Sequence, residues 1–132
     1  IIYKDLGNTY EFMRKNLSEV VDELEKTYPN QRKGIFVSSD THANVFLNLL
    51  IQRYGHLPDD YYIVGFDDSP ISTEAVIPIS TVGQNIDQIA HEAVKLLVEQ
   101  MNERKKRKPV PLEKPVHKVI TPYLIRRETT EK

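Results

Sequence analysis

Residues 61–68 read Tyr-Tyr-Ile-Val-Gly-Phe-Asp-Asp, an apolar run that ends in two adjacent carboxylates. Polar and apolar side chains do not alternate along the run, as expected for a strand that is covered on both faces of a parallel sheet. The turn signal Leu-Pro-Asp-Asp at residues 57–60 comes directly before it. This stretch therefore predicts a buried parallel strand with Asp67 and Asp68 at its carboxyl end.

A strand, a loop and a helix are predicted immediately upstream. Residues 34–38 form a short apolar run with strand character. Asp40 then stands where a helix cap is expected, and Gly55 stands where that helix would end. Apolar residues recur at helical spacing between these two positions. The segment is thus one strand-loop-helix unit that leads into the strand at residues 61–66.

The first 30 residues predict a further strand and a further helix. Residues 1–3 are β-branched and aromatic, which favours a strand, and a polar loop at Gly7 and Asn8 follows. Asn16, with a glutamate three residues later, predicts a capped helix that ends at Pro29. Helix and strand patterns therefore alternate from the first residues onward.

The same alternation continues downstream of the central strand. Residues 79–82 predict a short strand, and residues 86–101 carry the clearest amphipathic helix pattern of the chain. Residues 103–109 are charged, and residues 119–125 predict one or two strands broken at Pro122. The whole pattern predicts an α/β fold, a layered parallel sheet flanked by helices, whose ligands bind at the carboxyl ends of the strands.

The composition excludes several classes of protein. The 132 residues suffice for one domain with a hydrophobic core, and a hydrophobic fraction of 39% is ordinary for a globular chain. Lysine and arginine total 18 against 19 acidic residues, so the net charge of -1 creates no field that attracts nucleic acid. The absence of cysteine excludes disulfides and thiolate metal sites. No window is apolar enough to span a bilayer.

The amino terminus has neither an initiator methionine nor the charged leader of a signal peptide. We therefore expect a fragment that begins inside a longer protein. A cytoplasmic location is also expected, and the lack of cysteine is compatible with it.

The two carboxylates after the central strand are the strongest candidates for ligand chemistry. An ionised carboxylate accepts hydrogen bonds from two adjacent hydroxyls, which favours a polyol such as a sugar. Three other interpretations stay open: the polar end of a strand, the phospho-acceptor of a receiver domain, and a hydrolytic pair of Asp40 and Asp67. A receiver domain needs an acidic pair at the end of its first strand, where only Lys4-Asp5 comes near.

Other chemistry has little support in the sequence. The four histidines are scattered without metal-ligand spacing, and the five glycines are isolated. The basic stretch at residues 104–108 is interpreted as a solvated loop rather than as a nucleic-acid patch. We therefore expect no metal, no cofactor and no catalytic residues.

Five spaced blocks resemble the LacI/GalR family and appear in the family's order. The central block is Val-Gly-Phe-Asp-Asp at residues 64–68. The other similar blocks are Ser38-Ser39-Asp40 with Ala43, the turn at residues 55–60, residues 79–84 with the helix around residues 93–97, and the closing residues 124–130. The resemblance runs from Gly34 to Thr130, and the region before it is compatible with the family.

This resemblance implies a periplasmic-binding-protein-like type I subdomain. Two such subdomains close on a small ligand, and this chain would supply most of the second one. Residues 86–102 would form a helix that belongs to the partner subdomain in the intact protein. Operator DNA would be bound by a domain absent from this chain, of the LacI type or of the GntR type found in arabinose-repressor-like proteins.

The resemblance also carries individual site residues across. Asp67 matches the family's effector-gripping aspartate, Ser39 replaces an asparagine that often touches the effector, and Gln84 lies at the crossover between subdomains. Ala90 replaces a common glycine in the following helix. Asp40 is interpreted first as a helix cap and second as a ligand contact. The predicted ligand-binding set is Asp67, Ser39, Asp40, Gln84, Asp5 and Tyr10.

The expected function is effector sensing and dimerisation in a bacterial repressor of carbohydrate metabolism genes. The effector would be a sugar or a sugar phosphate, with no contact to a membrane. Residues 69–78 resemble the part that packs across the family's two-fold axis, so Ile71, Val76 and Ile77 are predicted at a homodimer interface. The alternative is a sugar-binding protein of a transport system, and an enzyme such as a glycosidase is the third interpretation.

Overall fold

The computed structural model describes residues 1–7, 9–108, 110 and 114–131. Its elements are α1 (Tyr10–Thr27), β1 (Lys33–Phe36), α2 (Asp40–Tyr54), β2 (Tyr61–Phe66), α3 (Ile71–Glu74), β3 (Ser80–Gly83), α4 (Ile86–Arg104) and β4 (Tyr123–Ile125). The chain divides into two compact units. The first unit holds residues 1–82 and 124–132, and the second holds residues 83–123.

The strands form one sheet in the order β1-β2-β3-β4. β1 runs parallel to β2, with Lys33 opposite Tyr61, and β2 runs parallel to β3, with Val64 opposite Ser80. The predicted central strand, residues 61–66, coincides with β2. The prediction of an α/β fold with a parallel sheet flanked by helices is therefore confirmed.

The core of the first unit lies between its sheet and its helices. α2 packs on β2 and also contacts α1 and α3. Side chains from α1, α2 and the sheet form one hydrophobic cluster and lose their solvent contact together. The fully buried apolar residues are Val21, Ala43, Phe46, Leu47, Leu50, Tyr61, Ile63 and Ile79.

The cap of α2 is one residue earlier than predicted. Ser39 has extended backbone angles, φ -154° and ψ 155°, and its Oγ accepts a hydrogen bond from the His42 backbone N–H. Asp40 is the first helical residue. The helix ends as predicted at Gly55, which has a left-handed φ of 81°. The assignment of Asp40 as the N-cap is therefore wrong, and its carboxylate is available for other contacts.

The first helix also begins earlier than predicted. Thr9 caps α1 by accepting a hydrogen bond from the Phe12 N–H, so Asn16 lies inside the helix. The Asn16 amide is buried and donates to the backbone carbonyl of Asp5, at 3.1 Å. Asn16, which was predicted to cap the helix, therefore makes a tertiary hydrogen bond from inside it.

Residues 1–3, where a strand was predicted, have an irregular backbone and are not a strand. Of the loop predicted at Gly7 and Asn8, Gly7 has a positive φ of 71°, and Asn8 lies outside the described residues. The charged stretch at residues 103–109 begins within the last turn of α4, and its final residue, Pro109, also lies outside the described residues.

The second unit contains the helix α4. None of the residues of α4 is buried, although the helix carries a clear apolar stripe. An ion pair of 3.2 Å joins Glu92 of α4 to Lys118. Residues 119–120 are not a strand, so β4 is the one strand formed where one or two were predicted at residues 119–125. Within the described ranges, no helix has the length and apolarity needed to cross a membrane.

Candidate functional site

The carboxyl ends of β1 and β2 lie side by side because the two strands are parallel neighbours. Ser39 ends the loop after β1, Asp40 follows it as the first residue of α2, and the loop after β2 carries Asp67 and Asp68. A hydrogen bond from the Ser69 N–H to Asp40 joins the two loops. The fold thus brings three of the predicted ligand-binding residues, Ser39, Asp40 and Asp67, to one edge of the sheet.

The Asp40 carboxylate is buried beneath these loops, with only 1% of the residue exposed. One oxygen accepts hydrogen bonds from the Ser69 N–H at 2.8 Å and the Ser69 hydroxyl at 3.2 Å. The other oxygen accepts from the Thr81 hydroxyl at 2.5 Å. A Cβ at Gly65 would overlap this carboxylate, so glycine is required where β2 passes it. Asp40 is therefore built into the interior, and its contact with a ligand remains a prediction.

Asp67 and Asp68 both have backbone conformations that are rare outside glycine. Their φ angles are 103° and 53°. Such angles cost about 1–3 kcal/mol each, so the surrounding structure must hold them. The Asp67 N–H donates to the Val82 carbonyl at 3.0 Å, and the Asp68 N–H donates to the Thr81 hydroxyl at 3.3 Å. The loop is thus fixed to β3 by the peptides on both sides of Asp67.

The Asp68 side chain is held by an arginine from the end of the chain. Arg127 donates to the Asp68 carboxylate at 2.7 Å, to the Ser72 hydroxyl at 3.1 Å and to the Ile79 carbonyl at 3.0 Å. The two charged side chains are 17% and 32% exposed, so water screens the pair only partly. Asp68 is therefore held by a structural contact, and the ligand role of Asp67 stays a prediction.

Sequence reasoning missed Thr81, Ser69 and Arg127 as parts of this site. Thr81 and Arg127 lie inside the blocks at residues 79–84 and 124–130 that carry the family resemblance. Their partners are 41 and 59 residues away along the chain, a separation that local patterns do not report. Their place inside these two blocks was the available signal.

A groove of about 790 Å³ lies beside β1 in the first unit. Asp5, Ser38 and His42 contribute polar groups to its lining, and apolar side chains supply much of the rest. The Asp5 carboxylate accepts a hydrogen bond from the Gly7 N–H at 2.9 Å and so forms a local turn. Tyr10 is 60% exposed at the start of α1 and does not line the groove. A role of Asp5 and Tyr10 in ligand binding stays a prediction.

The remaining predicted residues lie elsewhere on the two units. Gln84 follows β3 and belongs to the second unit. Ile71 begins α3 and is partly buried, and Ile77 packs against the core of the first unit. Val76 is 77% exposed. Of the three residues predicted at a dimer interface, Val76 offers the largest uncovered apolar surface.

The opposite, amino-terminal end of the parallel strands holds a second group of charges. The Lys33 ammonium is 1% exposed and pairs with Asp60, while Glu25 lies 3.6 Å away. Burial and a hydrogen bond donated to Glu25 raise the pKa of Tyr61 far above its usual value. Among the described residues, no group of three histidine, cysteine, aspartate or glutamate side chains is arranged to hold a metal ion. This end of the sheet is a structural cluster.

Comparison with known proteins gives a family and several relatives. A family model described as a periplasmic binding protein-like domain matches residues 3–130. The chain is 33% identical over 90 residues to the ribose operon repressor of Bacillus subtilis, which covers 68% of the chain and 27% of that repressor. It is 31% identical over 121 residues to the ribose operon repressor of Halalkalibacterium halodurans, covering 92% of the chain and 34% of the relative. The chain thus spans about a third or less of the curated relatives it matches.

Solved structures agree with this result. A complex of the transcriptional regulator CelR with cellobiose has the same fold, with a TM-score of 0.71 at 23% identity, over 98% of this chain and 37% of that chain. A LacI family transcriptional regulator from Lactobacillus casei with bound sucrose matches with a TM-score of 0.62 at 26% identity, over 89% of this chain and 40% of that chain. The chain belongs to the periplasmic binding protein-like domain family, in the form that LacI/GalR-type regulators use as an effector-binding domain.

Proposed function

We propose that this chain is the effector-sensing part of a bacterial repressor of carbohydrate metabolism genes, and that its effector is a sugar or a sugar phosphate. The observation that carries the proposal is the loop of Asp67, a carboxylate at the carboxyl end of a central parallel strand in a conformation that the fold maintains against strain. Relatives that match the chain are repressors of a ribose operon by name. The chain has no proposed catalytic role.

Asp67 suits a sugar because of its chemistry and its position. A carboxylate accepts two hydrogen bonds from neighbouring hydroxyls, an arrangement that a polyol offers repeatedly. Strain in a loop is often retained where a ligand must be met in one fixed geometry. Ser39, at the neighbouring loop, has a hydroxyl that already caps α2, so a bound sugar would share that group. Asp5, Tyr10, Asp40 and Gln84 complete the proposed set around the effector.

The proposed mechanism is a shift of population between two arrangements of the intact regulator. The effector would contact two subdomains, favour one relative orientation, and thereby change how a pair of DNA-binding domains fits the operator. Pairing would involve Ile71, Val76 and Ile77 in a homodimer of cytoplasmic protein. The DNA-binding domain, of LacI or GntR type, would lie outside these 132 residues.

The helix α4 has a place in this proposal. Its apolar residues include Ile86, Val94 and Leu97, which are 63%, 60% and 57% exposed. A soluble protein rarely leaves a helical apolar stripe of this length uncovered. We therefore assign residues 86–102 to the partner subdomain of the intact regulator, whose remaining polypeptide would cover the stripe.

The test uses the intact regulator and titration calorimetry with D-ribose, cellobiose and ribose 5-phosphate. Replacing Asp67 by alanine should weaken binding of the responding sugar by about 1.5–3 kcal/mol, the usual contribution of hydrogen bonds to a charged group. Glu128→Ala, an exposed carboxylate on the last segment, is the matched control and should leave affinity unchanged. Equal affinity of the wild type and Asp67→Ala would remove Asp67 from the site, and no binding of any sugar would refute the proposed effector class.

A further inference from the structure

The hydroxyl of Thr81 connects the buried Asp40 carboxylate to the loop of Asp67. Thr81 is fully buried in β3. Its hydroxyl donates to Asp40 at 2.5 Å and accepts from the Asp68 N–H at 3.3 Å. A threonine hydroxyl has a single hydrogen, and donation of that hydrogen to Asp40 leaves its lone pairs for the Asp68 N–H. The Asp40 carboxylate therefore orients the Thr81 hydroxyl so that its oxygen can accept the hydrogen bond from the Asp68 N–H.

The Asp68 N–H, which donates the hydrogen bond to the Thr81 hydroxyl, belongs to the peptide between Asp67 and Asp68. The preceding peptide is held as well, since the Asp67 N–H donates to the Val82 carbonyl at 3.0 Å. Adjacent residues of β3 thus hold the peptides on both sides of Asp67. The backbone direction at Asp67, and with it the starting direction of its side chain, depends on these two contacts.

A second branch from Asp40 holds the loop one residue farther on. The other carboxylate oxygen accepts from the Ser69 N–H at 2.8 Å and from the Ser69 hydroxyl. Asp40 thus holds the loop directly at Ser69 and, through the Thr81 hydroxyl, at Asp68. Solvent does not reach the Asp40 carboxylate or the Thr81 side chain, since the two residues are 1% and 0% exposed.

We infer that Thr81 is a positioning residue for effector binding: its hydroxyl, oriented by Asp40, sets the geometry in which Asp67 meets the sugar. This inference rests on the proposed function, because it acts through Asp67. A hydroxyl at position 81 is then needed for affinity, whereas the methyl group of threonine is not. A merely structural threonine would change stability and leave the affinity of the folded protein as it is.

The experiment compares Thr81→Val with Thr81→Ser in the intact regulator, with the sugar that responds in the titration above. Valine keeps the shape and lacks the hydroxyl, and serine keeps the hydroxyl. We expect Thr81→Val to weaken binding about tenfold or more, the scale of an unmade buried hydrogen bond, while Thr81→Ser stays close to the wild type. Thermal unfolding by circular dichroism confirms that each titrated variant is folded.

A double-mutant cycle separates positioning from general damage. If Thr81 acts through Asp67, Thr81→Val has little further effect in the Asp67→Ala background. Equal losses in both backgrounds, or an unchanged affinity of folded Thr81→Val, would overturn the inference. If Thr81→Val does not fold, Thr81→Ala removes the same hydroxyl without placing a methyl group against Asp40, and the same outcomes apply. Failure of Asp67→Ala alone to weaken binding would instead refute the site assignment of the proposed function.

Discussion

Replacement of Arg127 by methionine tests how the chain end holds the aspartate loop. Methionine keeps most of the length of the side chain and removes all three donated hydrogen bonds, to Asp68, Ser72 and the Ile79 carbonyl. The Ile79 residue is fully buried, so water replaces the lost donor poorly at its carbonyl. Asp68 is 32% exposed at its side chain and regains part of its solvation.

These contacts set the expected size of the effect. A buried carbonyl that loses a partner costs about 1–3 kcal/mol. A fully buried ion pair that loses one partner costs about 3–5 kcal/mol, and partial exposure of both side chains reduces that contribution here. We expect the free energy of unfolding to fall by about 3 kcal/mol. With a urea slope of about 1–3 kcal/mol/M, the unfolding midpoint should move down by about 1–3 M.

The neighbouring Arg126 provides the control, because it is exposed and carries the same charge. Urea unfolding of the protein, followed by far-ultraviolet circular dichroism, compares Arg127→Met with Arg126→Met. The control should change the free energy of unfolding by less than about 0.5 kcal/mol. Similar effects of the two variants, or a loss below about 1 kcal/mol in Arg127→Met, would refute the reasoning from buried hydrogen bonds.

Three further predictions follow from other contacts. Thr129→Val should lower the free energy of unfolding, measured in urea, by about 2–4 kcal/mol. The reason is that the Thr129 hydroxyl accepts a hydrogen bond from the buried Ser80 N–H at 2.8 Å and donates one to the Ile63 carbonyl at 2.7 Å. Thr121→Val, at an exposed threonine, is the control, and an effect of Thr129→Val no larger than that of the control would contradict the prediction. Above pH 10 the folded state should lose stability, because the raised pKa keeps the Tyr61 hydroxyl protonated in the folded protein while the same hydroxyl ionises in the unfolded chain. Tyr61→Phe should therefore reduce the fall of the unfolding midpoint with rising pH. An unchanged fall would exclude Tyr61 as its source. Val76→Asp should shift the intact regulator from dimer to monomer in analytical ultracentrifugation, with Glu74→Ala as an exposed control, and a dimer that persists would remove residue 76 from the interface.

The parts of the fold that local physics determines were predictable. The unbroken apolar run at residues 61–66 gave the bounds of β2, and Gly55 ended α2 where the left-handed conformation was expected. α1 was misplaced because Thr9 caps the helix while Asn16 makes a tertiary hydrogen bond to Asp5. The four-residue helix α3 was missed, since one turn of helix leaves no periodic pattern to detect.

The position of the candidate site could be predicted from the sequence, but the hydrogen bonds that hold it could not. The edge after β2 follows from the parallel sheet, and Asp67 follows from the family resemblance. The buried state of Asp40 depends on Ser69 and Thr81, which are 29 and 41 residues away, and no local rule connects them. The separate roles of the two adjacent aspartates depend on Arg127, whose sequence neighbours give no sign of its partner.

The hydroxyl of Thr129 has a consequence for the order in which the protein folds on the ribosome. This hydroxyl bonds to the Ile63 carbonyl of β2 and to the Ser80 N–H of β3, which are 66 and 49 residues earlier in the chain. Residues 83–123, a separate unit, are synthesised between these partners. At about 5–20 residues per second, translation of that insertion takes about 2–8 seconds, during which the start of β3 awaits its partner. The first unit is therefore expected to close after the second unit has emerged, which makes a nascent chain arrested before residue 124 a target for chaperones.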